Sequence, residues 1–444
     1  MHRNALKELI AWKESNDRKP LIVNGARQVG KTWLALNFGR AHFGSVAHVT
    51  FLDNVEMQSA FSGSLNPERL LTLIGAVTNT TPADGNTLVF LDEIQECPRA
   101  ITSLKMFREQ RPDIPIIAAG SLLGVALNRA QPGGGSASWP VGKVSYLDLH
   151  PLTFDEFVRA TAGDQLANSI ISGDMELVSL LSERLSDLLK TYFFVGGMPE
   201  AVEKFIQTRD LTAVRTIQQE LLSGYEFDFS KHVNSPLEAE RIRQTWHSVP
   251  TQLARESDLK RFVYASIRDG ARGRDYRDAV AWLVDSGLVT KVPRVNRPGI
   301  PLAGYEDDAY FKLYLVDVGL LGAAANLPAS SIAQGNRMFT EYKGAFAEQY
   351  VCQQLVASHI CPPRYWSADG KQAKGEVDFL IEHEGSLFPI EVKADENVRG
   401  SSIAAFAKKY DVKRSVRFSM LPWKDQSWLA NVPLYAVNSL PKLI

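Results

Sequence analysis

Residues 21–32, LIVNGARQVGKT, decide the fold of the first part of this 444-residue chain. The apolar run Leu21–Val23 is typical of a buried strand, and the pattern G-x-x-x-x-G-K-[ST] follows over Gly25–Thr32. Glycines let backbone N–H groups surround phosphates, and the start of the next helix favours an anion. The stretch predicts a P-loop, in which Lys31 reaches the β- and γ-phosphates of ATP and the Thr32 hydroxyl ligates Mg²⁺. The predicted nucleotide-binding residues are Gly25, Ala26, Arg27, Gln28, Val29, Gly30, Lys31 and Thr32.

A second apolar run ends in two carboxylates about sixty residues after the P-loop. Leu88–Leu91 precedes Asp92 and Glu93. Ligands of open α/β sheets bind at the carboxyl ends of the strands. We therefore predict that Asp92 holds Mg²⁺ through water and that Glu93 polarises the attacking water. A third run, Ile116–Ala119, is followed by Ser121, which either helps to position this water or is a turn serine.

Composition and charge exclude several classes of protein. The chain has 49 Lys and Arg against 50 Asp and Glu, and 45% of its residues are hydrophobic. This balance excludes a wholly basic coat protein for nucleic acid, but it allows a basic face on one domain. The three cysteines, Cys97, Cys352 and Cys361, fit neither a zinc pattern nor a disulfide framework. The start of the chain does not read as a signal peptide, and no apolar stretch is long enough to span a bilayer. We therefore expect a cytoplasmic protein with no membrane partner.

The pattern of secondary structure changes along the chain. Alternating strands and helices in the first third predict a parallel α/β sheet, and from Pro151 the pattern becomes helical. Thr153 and Glu156 have the spacing of a capping box, and Leu177–Tyr192 is predicted as one helix. Gly196–Pro199 is either part of a lid near the nucleotide or a helix boundary with proline in the first turn. The four predicted strands are Leu21–Val23, Val46–Leu52, Leu88–Leu91 and Ile116–Ala119.

The middle of the chain is predicted to be a winged helix. A helix over Asp275–Asp285 is followed by a strand over Leu288–Val295. Residues 255–297 contain ten Arg and Lys against six Asp and Glu, so the segment is locally positive. Arg274 and Arg277 lie on the face opposite the apolar residues, where they could contact DNA phosphates without sequence choice. A protein contact or a simple spacer are the alternatives.

Four polar residues near the C-terminus form a candidate metal-dependent site. Asp378 lies in the apolar run Val377–Ile381, and Glu391 and Lys393 lie in the run that follows a predicted turn at Glu384-Gly385. Glu348 lies on the preceding helix. Two paired strands would bring Asp378 together with Glu391 and Lys393, so that the two carboxylates bind Mg²⁺ and Lys393 activates water for attack on a phosphate. The alternative is a decayed site in a structural or docking module.

With these residues in view, the chain resembles a widespread family of bacterial and archaeal AAA-type ATPases that join a P-loop domain to a C-terminal domain of unassigned function. The C-terminal pattern also resembles the core of the PD-(D/E)xK nuclease fold. One departure concerns Gly142-Lys143, where the family resemblance implies Gly-Arg; lysine lacks the two-pronged geometry of arginine. The resemblance rests on GARQVGKT (25–32), LDEIQ (91–95), AAGSLLG (118–124), HPLTFDEF (150–157), YFFVGGMPEAV (192–202), YEFDFSKH (225–232), FKLYLVDVGLL (311–321) and GEVDFLIEHEGSLFPIEVKA (375–394).

The resemblance implies four α/β or helical domains in order along the chain. They are a P-loop AAA-type ATPase core over 1–150, a helical lid over 151–232, a winged-helix unit over 233–305 and a restriction-endonuclease-like α/β domain over 306–444. The predicted function is a Mg²⁺-dependent ATPase that couples nucleotide state to a DNA-directed C-terminal domain. The alternative is a signalling or scaffolding ATPase whose C-terminal domain docks protein or DNA without cleavage.

Oligomerisation is the other partner interaction that the resemblance suggests. Proteins of this class usually take an arginine from a neighbouring subunit, and Arg108 and Arg129 are the candidates here. A transporter ATPase is disfavoured because the sequence has no Leu-Ser-Gly-Gly-Gln-type signature.

Overall fold

A computed structural model describes most of the chain: residues 1–121, 123, 139–231, 233, 235–255, 261–328, 339–359, 361–368, 375–394 and 401–444. The chain divides into two compact units. The first unit contains Met1–His150 and Asp285–Gly287, and the second contains Pro151–Val284 and Leu288–Ile444. The domain bounds predicted from the sequence stay a prediction.

The first unit is built on a five-stranded parallel sheet with the order β2-β3-β4-β1-β5. The four strands predicted from apolar runs are confirmed. Each is buried on at least one face, which is why an apolar run marks it in the sequence. The fifth strand was not predicted, since the edge sequence SYLD buries only Leu147. The strands are β1 (Leu21–Asn24), β2 (Ser45–Thr50), β3 (Thr87–Asp92), β4 (Ile116–Ala119) and β5 (Ser145–Asp148).

Helices cover this sheet and shield its central strands from water. Helix α4 shows how the sequence sets a helix: the Asn66 side chain accepts a hydrogen bond from the Arg69 amide, Pro67 occupies the first turn, and Asn79 ends the helix in the left-handed region. Val89 and Leu91 of β3 are fully buried between these layers. The helices are α1 (Leu6–Glu14), α2 (Lys31–His42), α3 (Val55–Ser62), α4 (Pro67–Thr78) and α5 (Pro98–Gln110).

The second unit begins with a series of helices. The predicted capping box at Thr153 and Glu156 is confirmed, with both hydrogen bonds present. The single helix predicted over Leu177–Tyr192 is wrong, because the chain breaks at Leu181 into two helices even though the apolar spacing continues. The helices are α6 (Phe154–Ala162), α7 (Asp164–Ser172), α8 (Met175–Leu180), α9 (Ser182–Val195), α10 (Pro199–Thr208), α11 (Leu211–Lys231), α12 (Pro236–Ala254), α13 (Gly273–Asp285), α14 (Val318–Ala324), α15 (Phe339–Ala357) and α16 (Ser401–Tyr410).

A buried polar network joins the motifs of the second unit. The fully buried Asp317 carboxylate accepts hydrogen bonds from the amides of Gly319 and Leu320 at the start of α14, from the Gly197 amide at 2.6 Å and from Gln353 Nε2 at 3.1 Å. Buried polar groups are stable only when paired in this way. The pairing gives Asp317, in the motif LVDVG, a structural role.

The stretch Gly196–Pro199 belongs to this buried network. A Cβ atom on Gly196 would lie 2.0 Å from Asp317 Oδ1, and Gly196 has φ +71°, so only glycine fits. Pro199 is the first residue of α10. These contacts account for the stretch as a tight helix boundary within the second unit.

The second unit also contains an eight-stranded mixed sheet with the order β12-β13-β11-β10-β9-β8-β6-β7. Strands β6 and β7 lie on either side of the predicted domain boundary at residue 305. They pair with each other, and β6 also pairs with β8. The predicted hairpin is confirmed as β9 and β10, joined at Glu384 and Gly385, which both have positive φ. The strands are β6 (Val289–Val295), β7 (Glu306–Leu315), β8 (Arg364–Ser367), β9 (Glu376–His383), β10 (Ser386–Lys393), β11 (Ser415–Ser419), β12 (Lys424–Gln426) and β13 (Leu429–Pro433).

Two sequence expectations concern cysteines and membrane spans. All three cysteines carry free thiols, and Cys97 and Cys352 are buried. Among the described residues, every helix is too short or too polar to cross a bilayer.

Candidate functional site

The P-loop lies between β1 and α2, and two of its glycines have positive φ. Gly25 has φ +143° and Gly30 has φ +95°, regions that residues with a side chain rarely adopt. A Cβ atom on Gly25 would lie 2.2 Å from the carbonyl oxygen of Leu149. The loop is held from behind by the buried Arg3 side chain, which donates to the carbonyl oxygens of Val29 and His150. Nothing in the sequence near Arg3 marks it as an anchor, so the sequence does not predict this contact.

Lys31 folds back over the loop that precedes it. Its Nζ donates to the carbonyl oxygens of Gly25 and Ala26, both at 2.8 Å, and the residue is buried. Burial lowers the pKa of Lys31 to about 8, although the nearby Glu93 and Asp92 carboxylates oppose this change. A phosphate group can replace the two carbonyl partners and favour the charged lysine.

The two predicted Mg²⁺ ligands are adjacent. The Thr32 hydroxyl donates to Asp92 Oδ2 at 2.9 Å, and the Glu93 amide donates to Asp92 Oδ1 at 3.1 Å. His48, on the neighbouring strand β2, places Nε2 3.5 Å from the same Oδ2 atom. Hydroxyl and carboxylate oxygens are the ligands that Mg²⁺ prefers, so this pair fits the metal. The sequence does not predict a role for His48, because a single histidine in an alternating strand carries no signal.

Glu93 takes an unusual backbone conformation at the end of β3. Its φ of 50° and ψ of 46° lie in the left-handed region, which costs a residue with a side chain roughly 1 kcal/mol or more. Gln95 Nε2 donates to Glu93 Oε2 at 2.5 Å and so fixes the carboxylate. Ser121 is buried just after β4, next to Gly120, whose Cβ would lie 2.5 Å from Gln95 Oε1. Gln95 thus lies between the Glu93 carboxylate and the turn at Gly120.

The second unit brings together the four C-terminal residues singled out from the sequence. Asp378 Oδ2 accepts a hydrogen bond from the Val392 amide at 2.7 Å, between Glu391 and Lys393. Lys393 Nζ lies 3.4 Å from Glu391 Oε1. Glu348, on α15, is close enough to Asp378 to raise the pKa of that carboxyl group. The geometry is the one that pairing of β9 with β10 was expected to produce.

The charged groups of this C-terminal cluster shift the pKa values of Asp378 and Lys393. Protein atoms surround the Asp378 carboxyl group, and this desolvation, together with Glu348, raises its pKa well above the ordinary value. Burial acts to lower the pKa of Lys393, but the carboxylates of Asp378, Glu391 and Glu348 outweigh it, and the pKa is raised. The cluster therefore favours a charged Lys393 beside an Asp378 carboxyl group that holds its proton more tightly than usual.

Two further cations in this cluster were missed by the sequence analysis. Lys312 on β7 is almost fully buried, with Nζ 2.8 Å from Glu376 Oε1 and 3.5 Å from Glu348 Oε2. Arg417 on β11 donates from Nε to Glu391 Oε2 at 2.9 Å. Both residues alternate with apolar neighbours in their strands, which is the one signal that could have identified them. Within the described ranges, no group of three or more His, Cys, Asp or Glu side chains is arranged to hold a metal ion.

The remaining candidate residues that the structure describes are exposed or half-buried. On α13, Arg274 and Arg277 are exposed, and the Arg274 Nε lies 3.9 Å from Asp275 Oδ2. Arg108 pairs with Asp17, and Lys143 pairs with Glu109 at 3.1 Å. The other candidate for a shared arginine, Arg129, lies outside the described residues.

Comparisons with known proteins locate three family matches along the chain. Residues 17–158 match a family model described as an AAA domain. Residues 186–331 match a domain of unknown function, DUF8612, and residues 343–439 match another, DUF4143. No curated protein matches the chain.

Several solved structures are similar over much of the chain at low identity. A Walker-type ATPase of Pyrococcus abyssi has a TM-score of 0.42 and 14% identity, over 73% of this chain and 95% of that one. The Aeropyrum pernix ORC1 protein in complex with DNA has a TM-score of 0.28 and 13% identity, over 74% and 93%. The Thermotoga maritima RuvB Holliday junction branch migration motor has a TM-score of 0.28 and 14% identity, over 66% and 90%.

The AAA domain match covers the P-loop, the Asp92-Glu93 pair and all five parallel strands of the first unit. The sheet order, with β4 between β1 and β3, places the P-loop and the two carboxylates at the same edge. Residues 17–158 therefore form an AAA domain with a P-loop, and the chain is an ATPase.

Proposed function

We propose that this ATPase is Mg²⁺-dependent and that its nucleotide state controls a DNA-directed, metal-dependent phosphodiester site in the second unit. In the first unit, the backbone of Gly25–Thr32 and Lys31 hold the phosphates. Thr32 and Asp92 hold Mg²⁺, which neutralises phosphate charge when bound. Glu93 orients and polarises the attacking water, and Ser121 supports its position.

Gln95 gives the Glu93 role a physical basis. A general base must be fixed within hydrogen-bond reach of the water that it activates. The hydrogen bond from Gln95 restricts the Glu93 carboxylate, and the residue itself has a left-handed backbone at the end of β3. Gln95 therefore supports the role of Glu93 by fixing the position of its carboxylate.

The observation that carries the second half of the proposal is the hydrogen bond from the Val392 amide to Asp378. It fixes Asp378 beside Glu391 and Lys393 on paired strands. The two carboxylates would provide oxygen ligands for Mg²⁺, and the lysine beside them would provide a cation that orients water. We assign the metal to Asp378 and Glu391, and we assign Glu348 and Lys393 to its support and to water activation. This is the restriction-endonuclease-like interpretation of the C-terminal domain.

The exposed arginines of α13 support a nucleic-acid partner. Arg274 and Arg277 lie on the outer face of the helix, while Tyr276, Ala279 and Trp282 are buried beneath it. The order of this helix and the β6–β7 pair along the chain supports the winged-helix interpretation. Phosphate contacts from these arginines would bind DNA without sequence preference.

A second candidate function is a docking module that does not cleave. The ion pairs favour it: Glu391 already contacts Lys393 and Arg417, and Glu348 already contacts Lys312. Cations of the chain itself then neutralise the carboxylates, and a metal would have to displace Lys393.

Titration of Mn²⁺ into the full chain distinguishes the two functions. Metal sites in both units would bind, so the measurement is made in Lys31→Ala and Asp92→Asn backgrounds that remove the nucleotide-site metal. We expect Asp378→Ala to lose the remaining Mn²⁺ site, whereas Asp425→Ala, at an exposed carboxylate paired with Arg414, should retain it. Equal affinity with and without Asp378 would leave docking as the function of the domain.

A further inference from the structure

His48 occupies a defined position beside the nucleotide site that the roles assigned so far leave unused. It lies on β2 and pairs across the sheet with Phe90 of β3. Its Nε2 lies 3.5 Å from Asp92 Oδ2, the oxygen that also accepts the Thr32 hydroxyl hydrogen bond. Asp92 itself is buried. A histidine ring thus lies against the carboxylate that we assign to Mg²⁺.

The stack on Phe90 explains how the histidine ring is held. The two ring centroids are 4.9 Å apart and the planes differ by 14°, so the rings are stacked. Side chains that pair across neighbouring strands on one face contact each other directly. Phe90 and Asp92 lie two residues apart on β3 and therefore share a face. The stack keeps the His48 ring next to Asp92 and restricts its rotation.

Packing alone does not account for a histidine at this position. A phenylalanine or tyrosine at residue 48 could stack on Phe90 equally well, but neither has a ring nitrogen at the Nε2 position. The nitrogen faces Asp92, while the other carboxylate oxygen accepts the Glu93 amide. Hydrogen bonds from the Thr32 hydroxyl and the Glu93 amide hold the two oxygens of Asp92, and the His48 ring nitrogen lies beside the oxygen that Thr32 contacts. Groups that orient a metal-binding carboxylate in this way commonly change metal affinity by about 10- to 100-fold when removed.

We propose that His48 is a positioning residue for Mg²⁺ binding: it orients the Asp92 carboxylate so that Asp92 and Thr32 together receive the metal of the nucleotide. The inference rests on the proposed Mg²⁺ site at Thr32 and Asp92. His48 acts through Asp92 and makes no contact with nucleotide in this account. Loss of the His48 ring nitrogen should weaken metal binding, while the P-loop and Lys31 still bind the nucleotide phosphates.

The test measures Mn²⁺ binding to the full chain loaded with a non-hydrolysable ATP analogue, by electron paramagnetic resonance of free Mn²⁺. An Asp378→Ala background removes the second proposed metal site. His48→Phe keeps the stack on Phe90 and loses the ring nitrogen. We expect this variant to bind Mn²⁺ about tenfold more weakly than wild type. His48→Gln, which restores a donor, should recover most of this loss. Affinity for a fluorescent ATP analogue in EDTA should stay within twofold of wild type in both variants.

A matched control separates this role from general damage. His42 on α2 also packs against a phenylalanine, Phe38, with ring centroids 4.8 Å apart and planes tilted by 36°. His42→Phe should leave Mn²⁺ affinity unchanged. Equal Mn²⁺ affinity in wild type and His48→Phe would overturn the inference, and so would an equal loss in His48→Phe and His48→Gln or in His42→Phe.

Asp92→Asn distinguishes failure of this inference from failure of the metal site beneath it. If Asp92→Asn binds Mn²⁺ as tightly as wild type, the proposed metal site is wrong, and the inference is overturned with it. If Asp92→Asn loses Mn²⁺ but His48→Phe does not, only the role of His48 is overturned. Loss in Asp92→Asn and His48→Phe, with recovery in His48→Gln, supports both. Steady-state hydrolysis adds an independent readout: His48→Phe should need about tenfold more Mg²⁺ for half-maximal rate and should approach the wild-type kcat at saturation.

Discussion

The Thr32 hydroxyl donates a hydrogen bond of 2.9 Å to Asp92 Oδ2, which joins the first turn of α2 to the end of β3. The two residues are 60 positions apart in the chain. They meet because parallel strands of one sheet end at the same edge, with β4 between β1 and β3. The hydroxyl can keep this bond while its oxygen lone pairs face a metal ion. The contact therefore ties together the two motifs that define the nucleotide site.

Replacing Glu93 should separate nucleotide binding from hydrolysis. Glu93→Gln keeps the size of the side chain but removes the base, so we expect unchanged ATP affinity and a fall in kcat of at least about 100-fold. Glu96→Gln, on the same short helical turn, serves as the control and should retain the wild-type rate. Single-turnover hydrolysis measures both. A wild-type rate in Glu93→Gln would show that another group activates the water.

The lowered pKa of Lys31 predicts a pH dependence of ATP binding. Below pH 8 the lysine of the free protein is mostly charged, and above it the charged fraction falls about tenfold for each pH unit. Bound phosphate favours the charged form, so affinity should be constant from pH 6.5 to 7.5 and decline between pH 8 and 9. Calorimetry in EDTA measures this decline, together with proton uptake. Lys31→Arg stays charged throughout, and an equal decline in that variant would assign the effect elsewhere.

The buried Asp317 network should dominate the stability of the second unit. Asp317→Ala leaves the donors of Gly197, Gly319 and Gln353 without their acceptor, and we expect a loss of about 3–5 kcal/mol in the free energy of unfolding. Asp187→Ala, which removes an exposed ion pair with Lys190, should cost less than about 1 kcal/mol. Urea unfolding followed by tryptophan fluorescence compares them. Similar values for the two variants would contradict the importance of the network.

More of the first unit than of the second could be predicted from the sequence. Strands β1, β3 and β4 are short, continuous apolar runs, so periodicity located them and the P-loop pattern gave the site. The break at Leu181 was missed because apolar spacing continues through it. Lys312 and Arg417 were missed for a different reason. Their partners lie on other strands or helices, and no local pattern records which distant carboxylate a strand lysine or arginine will meet.

The convergence of three residues in the C-terminal cluster could be predicted because they are close in sequence. Asp378, Glu391 and Lys393 belong to one hairpin, whose turn at Glu384 and Gly385 fixes the pairing. Their convergence therefore follows from local sequence. The parallel pairing of β6 with β8, in contrast, joins strands about seventy residues apart and has no local signal.

The exposed arginines of α13 should govern nonspecific DNA binding. Arg274→Ala with Arg277→Ala removes two phosphate contacts, so affinity should fall for every sequence and the slope of log Kd against log salt should decrease by about 2. Fluorescence anisotropy with duplexes of unrelated sequence, between 50 and 200 mM salt, measures this change. Arg184→Ala, at an exposed arginine on α9, is the control. An unchanged slope in the double variant would favour a protein contact on this face.

Nicking of supercoiled plasmid tests the central claim, that an ATPase controls a metal-dependent phosphodiester site in the second unit. The assay compares wild type, Asp378→Asn and Glu93→Gln, each purified in parallel, with Mn²⁺ and with or without ATP. We predict nicking by the wild-type chain that responds to ATP, loss of that activity in Asp378→Asn, and an altered response to ATP in Glu93→Gln, which retains the Asp378 site. Nicking that persists equally in Asp378→Asn, or no nicking by wild type in any nucleotide state, would contradict the claim.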